Sequence, residues 1–303
     1  MNLPSERPGQ LADALRTGRF AVTAEIAPPR GADATGLRET ARLLRGWVDA
    51  ANVTDNQGAR VRMSSLAASV VLLAEGLAPV MQMTCRDRNR IALQSDLLAA
   101  GALGIPNVLL MTGDRPERGD HPDAPGVFDL DSDSLTAAAR ALRDDATLLS
   151  GQTVDPAPRY LIGAVDPGAG EPERLARKVA LGTEFVQTQF VFDVPAFAGW
   201  LARVRDLGLT QRCGVLAGVG PIRSLRALDV MAGLPGVAVP PALERRLRGV
   251  PARRVVEEGM AACAETVAAL RELPGLAGVH VMAVAYEQGV PEILTAAGLG
   301  RAA

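Results

Sequence analysis

Two carboxylates in this sequence closely follow short apolar runs. Glu25 comes directly after Val22-Thr23-Ala24, and Asp114 comes shortly after the run Val108–Met111. Runs of this length are too short for helices and are typical of strands buried on both faces of a parallel sheet. Ligands of parallel α/β folds bind at the carboxyl ends of the strands, where a carboxyl group can act as a general acid. Glu25 and Asp114 are therefore candidate catalytic residues; the alternatives are an ion pair with an arginine for Glu25 and a cap on loop amides for Asp114.

Amide and basic side chains add binding chemistry to these carboxylates. Gln187 and Gln189 are two residues apart, so they share one face of a strand. Amide groups can bind the donor and acceptor edges of a heterocycle, although both glutamines could instead hydrogen-bond inside the core. Arg174, Arg177 and Lys178 lie along one predicted helix. They could hold a pyrophosphate, or they could form a solvated helix face.

The elements that must position these residues alternate regularly between strand-like and helical patterns. The predicted strands are Phe20–Ile26, Ala50–Thr54, Ala78–Thr84, Asn107–Met111, Tyr160–Val165, Phe185–Phe192, Cys213–Gly220 and Val279–Ala285. Eight strands with helical crossovers predict a single (β/α)8 TIM barrel over residues 1–303, with residues 1–18 as a helical N-terminal extension. An extended loop follows strand 4, and extra helices precede strand 8. The turn after strand 1 lacks the Gly-x-Gly-x-x-Gly pattern of a doubly wound sheet, which favours the barrel.

In such a barrel the carboxyl ends of all strands face one mouth. The residues at those ends are Glu25, Thr54, Asp55, Thr84, Cys85, Arg86, Gly113, Asp114, Asp166, Gln189, Gly220 and Tyr286. This set suits a planar, anionic or heterocyclic ligand, but it does not identify a reaction. His121 lies in the extended loop and His280 in an apolar strand, so both are predicted to be structural.

Composition narrows the class of protein. The formal net charge of -2 does not suggest binding to nucleic acid. Three widely spaced cysteines predict neither disulfides nor a metal site and suit a reducing cytoplasm, and two histidines exclude a histidine-rich metal centre. We expect a cytoplasmic protein, because no signal peptide or membrane-spanning run is visible. A Schiff-base lyase would have to use Lys178, the single lysine, which is predicted to lie in mid-helix.

Six segments, in this order, resemble the methylenetetrahydrofolate reductase family. They are Thr23–Arg30, Asn52–Asp55, Met83–Cys85, Leu110–Asp114, Arg177–Gly182 and Phe185–Asp193. The resemblance extends from about Phe20 to Leu299 and implies a short, bacterial-type catalytic barrel without a regulatory domain. It implies a flavoenzyme, with FAD or FMN, that reduces 5,10-methylenetetrahydrofolate to 5-methyltetrahydrofolate with electrons from NADH or NADPH.

The resemblance also implies roles for individual residues. Glu25 is the acid that helps open the five-membered ring, and Asp114 contacts both flavin and pterin. The predicted folate or nicotinamide contacts are Gln189, Thr54, Gln187 and Tyr286. The predicted flavin contacts are Asp55, Gln82, Thr84, Thr112, Gly113, Asp114, Asp166, Arg174, Arg177 and Lys178, the last two at the phosphates.

Four positions depart from the family pattern. Gln82, Thr112 and Val165 stand where a histidine, an arginine and a tyrosine are common, and Tyr286 stands about where an arginine contacts folate. Three of these changes remove flavin-side contacts, which motivates an alternative: a flavin-poor folate-binding or accessory subunit of a one-carbon enzyme complex. The run Cys85–Arg90 resembles a branch in which a partner subunit feeds electrons, so the candidate partners are such a subunit or a second copy of the chain.

Overall fold

The computed structural model describes residues 9–301 except residue 235. Its eight parallel strands close into a barrel in chain order, which confirms the predicted (β/α)8 TIM barrel. The strands are β1 (Ala21–Ile26), β2 (Ala50–Val53), β3 (Pro79–Thr84), β4 (Asn107–Met111), β5 (Leu161–Asp166), β6 (Phe185–Phe190), β7 (Gly214–Val219) and β8 (Gly278–Val281). Residues 1–8 of the predicted N-terminal extension lie outside the described part of the chain.

The helices cover the outside of the barrel and its N-terminal end. They are α1 (Gln10–Thr17), α2 (Thr35–Leu44), α3 (Ser65–Ala74), α4 (Arg90–Ala102), α5 (Ser132–Asp144), α6 (Glu173–Leu181), α7 (Val194–Asp206), α8 (Leu225–Ala232), α9 (Pro241–Arg248), α10 (Val255–Arg271) and α11 (Val290–Ala296). Helices α8 and α9 are the extra helices predicted before the last strand. Within the described residues, no helix is both long enough and apolar enough to cross a membrane.

Strand positions follow from burial on both faces. All six residues of β3 and all six of β7 are buried, as expected for strands enclosed between a barrel interior and a ring of helices. Helix α5 begins two residues before its predicted start at Ser134, because Asp131 accepts a hydrogen bond from the Ser134 amide at 2.8 Å and caps the helix. Strand β8 ends at Val281, before its predicted end at Ala285, where the backbone takes a φ of 52°.

The loop after β4 is packed onto its neighbours. Val127 donates its amide proton to the carbonyl of Arg86 at 2.7 Å, and Phe128 donates to that of Cys85 at 3.1 Å. The chain also approaches Ala59 so closely at Gly119 that a Cβ there would lie 1.7 Å from the Ala59 carbonyl oxygen. The loops after β2, β3 and β4 therefore form one wall of the barrel mouth.

A bulge in β6 shapes the opposite wall. The pairing of β6 with β7 shifts register between Gln187 and Phe190. Gly218 makes this shift sterically feasible, because a Cβ at Gly218 would lie 2.4 Å from the Thr188 carbonyl oxygen and 2.7 Å from that of Gln189. As a result Gln187, Thr188 and Gln189 all reach the same cavity.

Candidate active site

The barrel mouth encloses a cavity of about 430 Å³. Its apolar walls include Leu109, Met111, Val165 and Met282. The polar and charged residues that line it are Glu25, Gln57, Gln82, Asp114, Asp166, Arg174, Gln187, Thr188, Gln189 and His280. Apolar walls with a few convergent polar groups are typical of a small-molecule site. Seven of the residues predicted from the sequence meet in this one cavity.

Glu25 is the carboxylate at the floor of the cavity. It is the fifth residue of β1, with a side chain that is 14% exposed. Gln57 donates to Glu25 Oε1 at 3.3 Å, and His280 Nε2 lies 4.0 Å from Oε2. The loop that carries Gln57 has positive φ angles at Asn56 and Ala59 (46° and 56°). Glu25 is thus held from two sides and still open to a ligand, as a general acid requires.

Beneath Glu25, a series of buried hydrogen bonds crosses the barrel interior. Gln187 Nε2 donates to Asn52 Oδ1 at 2.9 Å and to Thr23 Oγ1 at 3.1 Å, and Asn52 Nδ2 donates back to Gln187 Oε1 at 2.5 Å. Thr23 Oγ1 in turn lies 2.9 Å from His280 Nδ1. Both N–H groups of Gln187 are therefore used inside the barrel, the alternative to ligand binding that the sequence left open.

Asp114 and Gln189 face the cavity from its two walls. The chain turns at Gly113 with a φ of 92°, and a Cβ there would lie 2.9 Å from the Thr84 side chain. The turn projects Asp114 outward, with a side chain that is 46% exposed. Gln189 Oε1 accepts the amide proton of Phe190 at 3.0 Å. Its Nε2 group has no hydrogen-bond partner among the described residues, so it can donate to a ligand.

A third group of charges lies between β5 and α6. Asp166 Oδ1 accepts the Gly168 amide proton at 3.0 Å, whereas Oδ2 is buried without a partner in the described part of the chain. Burial raises the pKa of Asp166 above its ordinary value. Burial also lowers the pKa of Lys178, whose Nζ lies 3.9 Å from Asp133. Of the basic residues predicted on this helix, Arg174 is the one that lines the cavity.

Because the carboxyl group of Asp166 is buried, we expect Asp166→Asn to stabilise the protein at neutral pH. Below the ordinary pKa of 3.8 the group is protonated in both the folded and the unfolded state, so burial costs little. The cost grows as the pH rises from there through the higher pKa of the folded state, and is constant above it. Urea unfolding of wild type and variant at about pH 7 and about pH 3 tests this. We expect the variant to gain free energy of unfolding only at the higher pH; an equal difference at both would contradict the assignment.

The sequence model of a known family, described as methylenetetrahydrofolate reductase, matches residues 10–298. The chain belongs to the methylenetetrahydrofolate reductase family. A Caenorhabditis elegans protein named "Probable methylenetetrahydrofolate reductase (NADPH)" is 24% identical over 294 residues, which cover 91% of this chain and 42% of the nematode protein. A 5,10-methylenetetrahydrofolate reductase of Pectobacterium carotovorum is 25% identical over 231 residues, covering 74% of this chain and 71% of that protein. The chain thus spans about two fifths of the nematode relative.

Two solved structures share the barrel fold of this chain. A Clostridium thermocellum protein, described as binding two copies of 5-methyl-5,6,7,8-tetrahydrofolic acid, superposes with a TM-score of 0.63 at 14% identity. The match covers 95% of this chain and 97% of that one. A Mycobacterium tuberculosis tryptophan synthase chain superposes with a TM-score of 0.53, also at 14% identity, over 96% of this chain and 99% of that one. At these identities the likeness shows the barrel alone.

Several residues expected to bind flavin in this methylenetetrahydrofolate reductase family member lie away from the cavity. Asp55 Oδ2 accepts hydrogen bonds from the Thr84 amide at 2.8 Å and the Thr84 hydroxyl at 3.0 Å, and it pairs with Arg88. Arg177 donates to Asp133 at 2.8 Å. The other predicted residues that do not line the cavity are Thr54, Thr112, Gly113, Lys178 and Tyr286. Their ligand-binding roles stay predictions.

Two of these positions carry hydroxyl groups that do not line the cavity. Thr112 Oγ1 accepts the Ser132 amide proton at 3.1 Å. Thr54 is fully buried, and its hydroxyl oxygen has no partner among the described residues. The hydroxyls of both residues would have to reorganise, or the chain would have to move, before they could contact a ligand in the cavity.

The sequence did not predict that Gln57 and His280 line the cavity or that Arg223 packs against Tyr286. The Arg223 guanidinium lies 4.6 Å from the centre of the Tyr286 ring and donates to the Val284 carbonyl at 3.0 Å. Burial raises the pKa of neighbouring Glu287, and repulsion from Glu25 acts in the same direction. Arg223 thus brings a cation to the place where Tyr286 departs from the family pattern. Arg223 could have been noticed only as an arginine soon after the end of β7, and arginines are too common in this chain for that to single it out.

Proposed function

We propose that this chain reduces 5,10-methylenetetrahydrofolate to 5-methyltetrahydrofolate in the cavity at the barrel mouth, with electrons from NADH or NADPH passed through a flavin. The observation that carries the proposal is Glu25 at the floor of a cavity that also holds Asp114 and Gln189, in a chain of this family. The Clostridium thermocellum protein with the same fold, described as binding 5-methyl-5,6,7,8-tetrahydrofolic acid, supports a folate as the ligand.

Glu25 is the proton donor in this proposal. The bridging carbon of the substrate is bonded to two nitrogens, and protonation of one nitrogen by Glu25 lets that carbon–nitrogen bond break. The carbon becomes an electrophilic iminium, and addition of a hydride converts it into the methyl group. The departing nitrogen keeps the proton, so the product carries one added hydride and one added proton. Gln189 and Asp114 orient the pterin through hydrogen bonds.

A flavin bound beside the folate would supply the hydride, and part of the cavity suits it. Gln82, Asp114 and Asp166 offer donors and acceptors to a polar ring and a hydroxylated chain, and Arg174 offers a cation to a phosphate. The unpartnered Oδ2 of Asp166 is an acceptor that a ligand hydroxyl would satisfy. These residues would hold the flavin, with the nicotinamide cofactor as co-substrate.

Arg174→Ala is expected to weaken flavin binding by about 1.5–3 kcal/mol, or roughly ten- to a hundredfold in Kd, because a charged hydrogen bond to phosphate is lost. Lys178→Ala should act in the same direction if its amine also reaches the phosphates. Arg205→Ala, which removes an exposed arginine of the next helix, α7, is the control and should leave the affinity unchanged. Fluorescence titration of the apoprotein with FAD and FMN measures all three. Equal affinities for wild type and Arg174→Ala would remove Arg174 from the site.

One observation favours a second candidate, a folate-binding or accessory subunit that holds flavin poorly. Asp55 and Thr84, two flavin contacts implied by the resemblance, bind each other and Arg88 in this structure and do not line the cavity. This subunit would still bind folate through Gln189 and Asp114.

An anaerobic absorbance spectrum separates the two candidates. The proposed reductase is yellow, or turns yellow when flavin is added, and its flavin bands are bleached by 5-methyltetrahydrofolate, which returns a hydride in the reverse reaction. A protein that stays colourless with added flavin and binds 5-methyltetrahydrofolate would instead be the accessory subunit. A flavin that binds but is not bleached by the folate would contradict the reductase assignment.

A further inference from the structure

His280 lies between the buried hydrogen bonds of the barrel interior and the carboxylate at the cavity floor. Its side chain is 3% exposed and comes from β8, next to β1 in the closed barrel. One ring nitrogen, Nδ1, is 2.9 Å from Thr23 Oγ1, and the other, Nε2, points at Glu25 Oε2 from 4.0 Å. The imidazole therefore connects a fixed polar network to the group proposed to donate the proton.

The network decides which nitrogen carries the proton of a neutral imidazole. Thr23 Oγ1 already accepts a proton from Gln187 Nε2 at 3.1 Å, so its own hydroxyl proton must go elsewhere. The Val279 carbonyl is 3.5 Å from Thr23 Oγ1, whereas His280 Nδ1 is 2.9 Å away. The shorter contact favours donation from Thr23 to Nδ1. Nδ1 is then an acceptor, and the imidazole proton lies on Nε2, facing Glu25.

Asn52 and Gln187 determine which group donates and which accepts in each of these buried hydrogen bonds. Asn52 accepts one Gln187 N–H at 2.9 Å, which leaves the second N–H for Thr23. All of these side chains are buried, so bulk water does not compete for their donors and acceptors. Gln57 binds the other oxygen of Glu25 from an exposed loop. Among the described contacts of the Glu25 carboxylate, the one from His280 is therefore the one that the barrel itself fixes.

We propose that His280 is a positioning residue for Glu25: Thr23 holds the imidazole as the Nε2–H tautomer, so that an N–H faces the carboxylate left when Glu25 has given its proton to the substrate. The role rests on the proposed function. The contact of 4.0 Å is longer than a hydrogen bond and needs only a small side-chain rotation to close once Glu25 is ionised. The other charged groups around Glu25 are Asp114, Asp166 and Arg174, which line the same cavity, and Glu287, which lies close enough to repel Glu25.

The tautomer can be measured without any turnover. The chain has two histidines, so nitrogen-15 NMR of the imidazoles gives two sets of signals, and His121→Gln identifies the set that belongs to His280. We expect His280 in the wild-type protein to carry its proton on Nε2. Thr23→Ser should keep this tautomer, and Thr23→Val should give a mixture of the two neutral forms. A wild-type His280 protonated on Nδ1, or on both nitrogens, would overturn the proposal.

Kinetics test the role in proton donation. His280→Leu should slow the reduction of methylenetetrahydrofolate by the reduced enzyme roughly ten- to a hundredfold, since a hydrogen bond to a charged group is lost. Flavin reduction by NADH or NADPH and the Kd for folate should stay near wild type. His280→Gln should recover part of the rate, because its amide can present an N–H to Glu25.

The Glu25→Gln background distinguishes this role from a general effect on folding. There His280→Leu should cause no further loss of rate, because the carboxylate that it serves is gone. The same fold loss in both backgrounds would overturn the proposal, as would full wild-type activity of His280→Leu. If the wild-type chain does not reduce the folate at all, the proposed function fails, while the NMR experiment still decides the tautomer. The NMR experiment on the wild-type protein also decides the tautomer if His280→Leu does not fold.

Discussion

Glu25→Gln is expected to slow folate reduction strongly while leaving the other half of the reaction intact. Glutamine has nearly the same shape and can still interact with Gln57, but it cannot donate the proton that opens the folate ring. Loss of a general acid costs roughly 10²–10⁴-fold in rate. Flavin reduction by NADH or NADPH does not need this proton and should keep its wild-type rate. Single-turnover absorbance measurements on each half-reaction give the two rates separately.

Glu117→Gln is the matched control, because Glu117 is an exposed carboxylate in the loop beside the same barrel mouth. It should leave both half-reactions unchanged. A Glu25→Gln variant that reduces methylenetetrahydrofolate at a rate near that of wild type would show that Glu25 is not the acid. A variant that loses both half-reactions together would point instead to a damaged cavity.

The second large effect is on stability. Gln187→Leu is expected to lower the free energy of unfolding by about 2–5 kcal/mol, because the side-chain N–H and C=O groups of Asn52 both lose their partner in the dry barrel interior. Urea unfolding of the apoprotein, followed by circular dichroism, measures the loss. Gln189→Leu is the comparison two residues away: it removes a single hydrogen bond, the one from the Phe190 amide to Gln189 Oε1, so we expect a smaller loss of about 0.5–1.5 kcal/mol.

A double variant tests whether the loss comes from the unpaired amide. In Asn52→Leu/Gln187→Leu both polar partners are gone, and two apolar side chains can pack together. We expect this variant to be more stable than Gln187→Leu alone, which would give a clear coupling energy in a double-mutant cycle. If Gln187→Leu unfolds at the same urea concentration as wild type, the hydrogen bonds across the interior contribute little.

The architecture could be predicted from local sequence because each strand is buried on both faces. Asn107–Met111 is a strand with the predicted bounds, and its burial explains why an unbroken apolar run was visible. The mouth residues Glu25, Asp114 and Gln189 also reach the cavity, because strand ends alone determine that placement. Asp166 was predicted in the same way, whereas Gln187, Arg174 and Gln82 were predicted from strand spacing, a basic helix and the family resemblance, and all four line the same cavity.

Pairing between distant side chains could not be predicted. Asn52 and Gln187 are 135 residues apart in the chain, and Thr23 and His280 are 257 apart. Without the barrel's register, each of these polar residues could as well face a ligand as another strand. The same limit applies to Asp55 and Thr84: their predicted role at the cofactor stays a prediction, but the hydrogen bonds that they make with each other and with Arg88 could not be seen in the local sequence. A local pattern shows that a side chain points inward, but not which partner it meets there.

The barrel interior thus divides into two layers of polar residues. The lower layer, Thr23, Asn52, Gln187 and the Nδ1 side of His280, satisfies its own hydrogen bonds. The upper layer, which includes Glu25, Asp114 and Gln189, keeps groups open to the cavity. A rigid lower layer that fixes the orientation of one upper group is an arrangement that suits acid catalysis, because the proton donor must not turn away from the substrate.

The most direct test of the account is the product itself. The purified chain, supplied anaerobically with flavin, NADH or NADPH and 5,10-methylenetetrahydrofolate, is sampled over time, and the folates are separated by chromatography. We expect 5-methyltetrahydrofolate to accumulate well beyond one equivalent of protein with the wild type, and to form roughly 10²–10⁴-fold more slowly with Glu25→Gln. If the wild-type chain forms no 5-methyltetrahydrofolate with any of these donors, although it binds the folate, the cavity is a binding site and the account of a reductase is wrong.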